Sequence, residues 1–177
     1  QTQLNDLMSW NSDGTRMPYQ MHTEYLEKLY LHNQLATNKF TVGGRIVSVS
    51  DIHAPMFVLG TETDHVAPWK SVYKIVGLTH NELTFALTSG GHNAGVVSGP
   101  QHPRRRYRIN QREAGGRYVA PDDWMESNEV CQGSWWPAWN EWLDGRMSKK
   151  IAPPAALGAS RKGLKPLRDA PGEYVFG

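Results

Sequence analysis

Two short apolar runs stand out in an otherwise polar chain, Pro55 to Gly60 (PMFVLG) and Leu83 to Thr88 (LTFALT). The first, continuous and without alternation, predicts a strand covered on both faces, as in a parallel sheet. Between them Trp69, Val72, Tyr73 and Val76 recur at helical spacing, so the stretch predicts a strand, helix, strand unit with the second strand parallel to the first. Arg45 to Val49 (RIVSV), after the pair Gly43-Gly44, alternates like an edge or half-buried strand. From Pro18 to Leu35 the pattern is helical: Pro18 suits a first turn, and Met21, Tyr25, Leu29 and Asn33 fall on one stripe, with Asn33 its polar interruption. Trp135, Trp139 and Trp142 share one face of a further helix, and Met147 to Pro171, with Pro153-Pro154 and several Gly and Ala residues, predicts an extended tail.

Composition narrows the classes. The 177 residues suffice for one domain, and chains of this size bury about two thirds of their unfolded surface. With 19 basic against 17 acidic residues, no field of one sign points to nucleic acid or a membrane surface as the main partner. No apolar stretch approaches the ~20 residues of a membrane helix, and no leader pattern opens the chain, so a cytoplasmic protein is expected. The single cysteine, Cys131, cannot form an internal disulfide. The seven histidines show no HxxxH or HxH spacing, and no metal site is expected.

Both apolar runs end in ionisable loops. The first enters Thr61-Glu62-Thr63-Asp64-His65 and the second enters Ser89-Gly90-Gly91-His92. Functional loops of parallel sheets leave from the carboxyl ends of the strands, and adjacent strands lie roughly 4.8 Å apart, so the Asp64 carboxylate and the His92 imidazole can meet. Histidine suits a general base because it titrates near neutrality, and a carboxylate on its other nitrogen fixes the tautomer. Gly90, Gly91 and Gly95 give the loop room to aim the ring. His65 is a hydrogen-bonding neighbour rather than a second base. Acid then base, each after a strand, is the order of the C-terminal half of an α/β-hydrolase, whose nucleophile comes earlier. No Gly-x-Ser-x-Gly or Gly-x-Cys-x-Gly turn occurs, and Cys131 has Glu129 where such a turn needs its first glycine. The chain is therefore expected to be a portion of a longer catalytic domain that is inactive alone.

The segments GTETDHVAPW, TSGGHNAGVVSGP, GSWWPAW, WNSDGTRMP and the closing APGEYVFG together resemble the C-terminal half of class I polyhydroxyalkanoate synthases, also called poly(3-hydroxybutyrate) polymerases. The resemblance implies an α/β-hydrolase fold, with residues 1–40 part of a helical cap, 41–145 the C-terminal half of the catalytic domain and 146–177 the tail. It places the family's catalytic Asp on Asp64 and its catalytic His on His92, and puts Trp10, Asn33 and His65 on the substrate side. It further implies a cysteine nucleophile, polymerisation of (R)-3-hydroxyacyl-coenzyme A with release of coenzyme A, no separate cofactor, a homodimer, and attachment to polyester granules. In that family the Asp assists elongation directly or through the His. The run Arg104-Arg105-Arg106 fits either a solvated loop or donors to coenzyme A phosphates, and the tryptophans fit core packing or contact with polyester. A generic esterase would explain Asp64 and His92 but not the other motifs. A granule-coating module would explain the missing nucleophile but not two buried parallel strands.

Overall fold

A helix begins where the sequence places one, next to Pro18, and stops sooner. The structure, a computed structural model that describes residues 12, 14–169 and 172–173, has α1 (Tyr19–Glu24) passing into a π-helix, Tyr25–Leu31. There the His32 N–H reaches the Glu27 carbonyl at 3.0 Å, five residues back, the wider repeat of that helix type. Asn33, at φ 47°, takes the left-handed conformation that ends helices. The expected helix to Leu35 is thus cut at Leu31, and Asn33 caps it rather than extending the stripe. Met21, Tyr25 and Leu29 stay together, lining with Pro18 and Phe40 a hollow of about 540 Å³.

The expected strand RIVSV is also shorter. Gly43 and Gly44, both at positive φ, turn a two-residue hairpin of β1 (Thr41–Val42) and β2 (Arg45–Ile46). Ser48 then caps a 3₁₀ turn, Val49–Asp51, its hydroxyl accepting from Ser50 N–H while the Asp51 carboxylate accepts from Ser48 N–H at 3.1 Å. Local capping chemistry outcompetes the alternating pattern.

The two apolar runs do form parallel neighbours, β3 (Met56–Thr61) and β4 (Leu83–Thr88), in register from Met56 opposite Leu83 to Thr61 opposite Thr88. Only β4 is buried throughout; β3 is half-buried until Gly60. The difference follows from position: β3 stands at one end of a four-stranded sheet, while β4 lies inside it. The crossover carries α2 (Trp69–Tyr73) and α3 (Ile75–Leu78). Beyond β4 the sheet continues with antiparallel β5 (Arg106–Arg112). After α4 (Pro121–Ser127) comes the short β6 (Cys131–Gln132), antiparallel to β5, and then α5 (Trp136–Asp144). The architecture is α/β with a mixed sheet.

Alternation along β4 sends Leu83, Phe85 and Leu87 to one face, where they pack with Trp69, Tyr73, Val76 and Trp124. Phe85 meets Tyr73 and Trp124 edge to face, with centroids 4.9 and 5.1 Å apart, and burial of each such side chain stabilises by about 1.5–3 kcal/mol. Arg112, on β5, crosses to this core's rim and donates to the carbonyls of Val76, Thr79 and Asn81. It satisfies the open end of α3. By contact the chain divides into two units, Gln1–Glu141 and Trp142–Gly177. In the second, the Arg146 guanidinium stacks 4.0 Å from the Trp142 ring centre. A 3₁₀ turn, Ser160–Lys162, is closed by Gly163 at positive φ. No helix among the described residues is long and apolar enough to cross a membrane.

Candidate active site

Parallel pairing of β3 and β4 delivers both ionisable loops to one end of the sheet, and backbone hydrogen bonds then join them. Glu62 N–H donates to the Thr88 carbonyl at 2.9 Å and Thr63 N–H to the Gly90 carbonyl at 3.2 Å. Gly90, at φ 106°, makes the bend a side chain would resist. Gly95 lies so close to the first loop that a Cβ there would stand 2.7 Å from Thr61 Cγ2. The outcome is direct contact: His92 Nδ1 lies 2.9 Å from Asp64 Oδ2.

Asp64 is enclosed and fully engaged. Its side chain is 7% exposed. Oδ1 accepts from the N–H groups of Val66 and Ala67, each at 2.8 Å, and Oδ2 accepts from Thr61 Oγ1 at 3.1 Å as well as from His92. The Ala67 N–H above all, then His92, Val66 and Thr61, holds its carboxyl well below the usual carboxylate range, against the opposing effect of desolvation. An ionised carboxylate only accepts, so His92 Nδ1 carries the proton and Nε2 keeps its lone pair. The His92 side chain is 45% exposed. The arrangement is an oriented, accessible imidazole base backed by a buried anion.

Further side chains hold these loops, among them arginines and tryptophans that the sequence marked out without showing this role. Glu62, 14% exposed, accepts from Arg106 at 2.8 Å and from Arg108 at 3.3 Å, tying the end of β3 to β5 across β4. Arg105 donates to Ser98 Oγ at 2.9 Å, to the Ala94 carbonyl at 2.7 Å and to the Ser89 carbonyl at 3.4 Å, bracing the His92 turn. Of the arginine run, Arg105 is thus committed to the His92 turn and Arg106, half-exposed, is paired with Glu62, while Arg104 stays exposed. The start of α5 contributes as well: Ser134 Oγ donates to the Ser98 carbonyl at 2.6 Å, and the indoles of Trp135 and Trp136 donate to the carbonyls of Gly95 and Val96. A tryptophan-rich stretch was visible in the sequence, but nothing local signals a partner 40 residues away.

Of the other expected site residues, His65 is exposed beside Asp64. Asn33, at the end of the π-helix, accepts at its carbonyl from Thr37 and is not among the groups that hold Asp64. Trp10 lies outside the described residues. Cys131 sits half-buried on β6, opposite Tyr107. Among the described residues no cluster of three His, Cys, Asp or Glu side chains could hold a metal ion.

The arrangement is an acid paired with an imidazole at the carboxyl ends of neighbouring parallel strands, and comparison with known proteins gives the family. No family model matches the chain. It is 37% identical over 170 residues to the poly(3-hydroxyalkanoate) polymerase subunit PhaC of Rhizobium meliloti (strain 1021), covering 96% of this chain and 26% of that protein. To the PhaC subunit of Cupriavidus necator it is 36% identical over 171 residues, 96% of this chain and 28% of the relative. To the poly(3-hydroxyalkanoate) polymerase of Methylorubrum extorquens it is 35% identical over 171 residues, 96% of this chain and 27% of the relative. The chain belongs to the poly(3-hydroxyalkanoate) polymerase family, and spans little more than a quarter of the length of these relatives.

Proposed function

We propose that this chain is the C-terminal portion of a class I polyhydroxyalkanoate synthase and supplies the Asp and His of a Cys-His-Asp triad. The observation that carries this is the 2.9 Å contact of His92 Nδ1 with Asp64 at the ends of adjacent parallel strands. In this reading residues 1–40 belong to a cap, 41–145 to the C-terminal half of an α/β-hydrolase domain and 146–177 to a tail. The nucleophilic cysteine comes from polypeptide beyond these residues.

The chemistry follows from a base with one free nitrogen. His92 Nε2 takes the thiol proton, the thiolate adds to the acyl carbon of (R)-3-hydroxyacyl-coenzyme A, and the coenzyme A sulfur leaves with that proton. His92 then takes the proton of a 3-hydroxyl, whose oxygen attacks the acyl-cysteine, forming the ester and freeing the thiolate. Because both Asp64 oxygens are already occupied, Asp64 acts through His92. Coenzyme A is part of the substrate, and no separate cofactor is required. Trp10, Asn33 and His65 are assigned to the substrate side, and the whole enzyme to a cytoplasmic homodimer on polyester granules.

The test is a chimaera in which this chain replaces the matching segment of the Cupriavidus necator relative. Release of coenzyme A with polyester formation, lost in His92→Ala, is the expected result. A folded chimaera that hydrolyses simple esters and makes no polymer would point to an esterase instead.

A further inference from the structure

The turn that carries His92 has little apolar material to hold it. Val96 and Val97 are exposed at 39% and 53%, and its internal backbone bonds run from Gly95 N–H to the Gly91 carbonyl, from Val97 N–H to the Asn93 carbonyl and from Ser98 N–H to the Val96 carbonyl, which the Trp136 indole shares. What fixes it comes from elsewhere in the fold. Trp135 Nε1 lies 3.3 Å from the Gly95 carbonyl oxygen and Trp136 Nε1 lies 2.9 Å from that of Val96. Two consecutive indoles thus grip two consecutive carbonyls.

The donors are themselves held. Trp135 is buried, and its ring lies 6.1 Å from Phe57, 6.3 Å from Trp136 and 5.7 Å from Trp139. Phe57 belongs to β3, the strand that delivers Asp64. One aromatic cluster therefore touches the strand of the acid and bonds to the turn of the base. An indole N–H donates and cannot accept, so when buried it seeks a carbonyl, and the turn's carbonyls find matched partners.

We propose that the indole N–H groups of Trp135 and Trp136 are positioning donors for His92, setting the distance and angle at which its imidazole meets Asp64. The assignment rests on the reading of His92 as the catalytic base, but its test does not require catalysis. In the 177-residue chain, the tautomer ratio of the neutral His92 ring is read by ¹⁵N NMR. Contact with the Asp64 carboxylate makes the Nδ1–H form dominant. Replacing Trp136, and separately Trp135, by benzothienylalanine keeps ring shape and removes only the N–H. The Nε2–H share is expected to rise about 3- to 10-fold in each, the factor that one net hydrogen bond supplies. Trp139→Phe, which alters the same cluster without touching the turn, is expected to leave the ratio unchanged.

An unchanged ratio in both benzothienylalanine variants, each still melting cooperatively, overturns the proposal. So does an equal shift in Trp139→Phe, which would mean general loosening. If the buried Trp135 variant fails to fold, the Trp136 variant decides. In the chimaera the same Trp136 variant should lower kcat about 10-fold or more with KM little changed, since small misplacements of reacting groups are costly. A chimaera without polymerase activity would refute the proposed function and leave the NMR result standing.

Discussion

His92 and Asp64, 28 residues apart in sequence, share one hydrogen bond of 2.9 Å in which the imidazole Nδ1 donates to Oδ2. The carboxylate has no spare acceptor role, because Thr61, Val66 and Ala67 take the rest of it. Asp64→Asn would keep the shape and present an amide that must donate towards His92, turning the ring into its Nε2–H tautomer. In the chimaera described above, coenzyme A release is expected to fall by about 10³- to 10⁴-fold, the loss typical of a reversed tautomer in a triad. In the proposed reading Asp64 works through His92, and single-turnover acyl loading and chain elongation should fall together. Loss of elongation alone would show the carboxylate acting directly on the hydroxyl.

The same bonds set a pH dependence with a definite sign. The folded-state pKa of Asp64 is depressed, first by the Ala67 N–H, so its contribution to stability is fully present above the unfolded value of about 3.9 and is lost as pH falls through the folded one. Urea denaturation of the chain and of Asp64→Asn should differ by a constant amount from about pH 5 to pH 8, and the difference should shrink only in stronger acid. A difference that stayed constant as the pH fell below about 4 would place the folded carboxyl at its ordinary value and contradict the hydrogen-bonding described.

Close approach at Gly95 offers a contrast within one loop. A methyl group there would sit 2.7 Å from Thr61 Cγ2 and 2.8 Å from the Gly91 carbonyl oxygen, whereas at Gly91 the nearest atoms are 3.9 Å away. Gly95→Ala is expected to destabilise by about 1–3 kcal/mol, as overpacking does, and to push Thr61 off Asp64. Gly91→Ala should be close to neutral in thermal melting, which makes it the control.

How far the sequence anticipated this site depends on where the information lay. The runs PMFVLG and LTFALT announced β3 and β4 because burial is written into consecutive apolar residues, and Asp64 and His92 followed from their ends. β5 was not visible: RYRINQR holds five polar or charged residues against Tyr107 and Ile109, and its arginines find Glu62 and backbone carbonyls across the fold. α4 did carry a signal, Pro121 in its first turn followed by Asp122 and Asp123, the composition favoured at helix starts. The early end of the first helix lay in backbone geometry at Asn33, which a periodic stripe cannot express.

Glu62 tests how much the arginines on β5 matter. Glu62→Gln keeps volume and one acceptor while removing the charge that Arg106 and Arg108 share. Arg108 is largely enclosed at 18% side-chain exposure, so the variant is expected to lose about 1–3 kcal/mol in urea denaturation. Arg106→Ala, at a half-exposed position, should cost less, about 0–1 kcal/mol. Equal losses would indicate that Glu62 is held by packing rather than by its ion pairs.

The last prediction concerns the outer side of β3, which among the described residues has one neighbouring strand. Met56 N–H donates to the Glu82 carbonyl and Glu62 N–H to that of Thr88, so the even-numbered amides of this strand, including those of Val58 and Gly60, face β4. The Leu59 amide faces the other way. In the 177-residue chain native-state hydrogen exchange should therefore protect the amides of Val58 and Gly60 and leave that of Leu59 fast, an exposed edge that also favours association between chains. Within the chimaera, where the proposed domain would supply a further strand, Leu59 should become as slow as its neighbours. Protection of Leu59 in the chain by itself, at a concentration where it is monomeric, would mean that this edge is already covered and that no further strand is needed there.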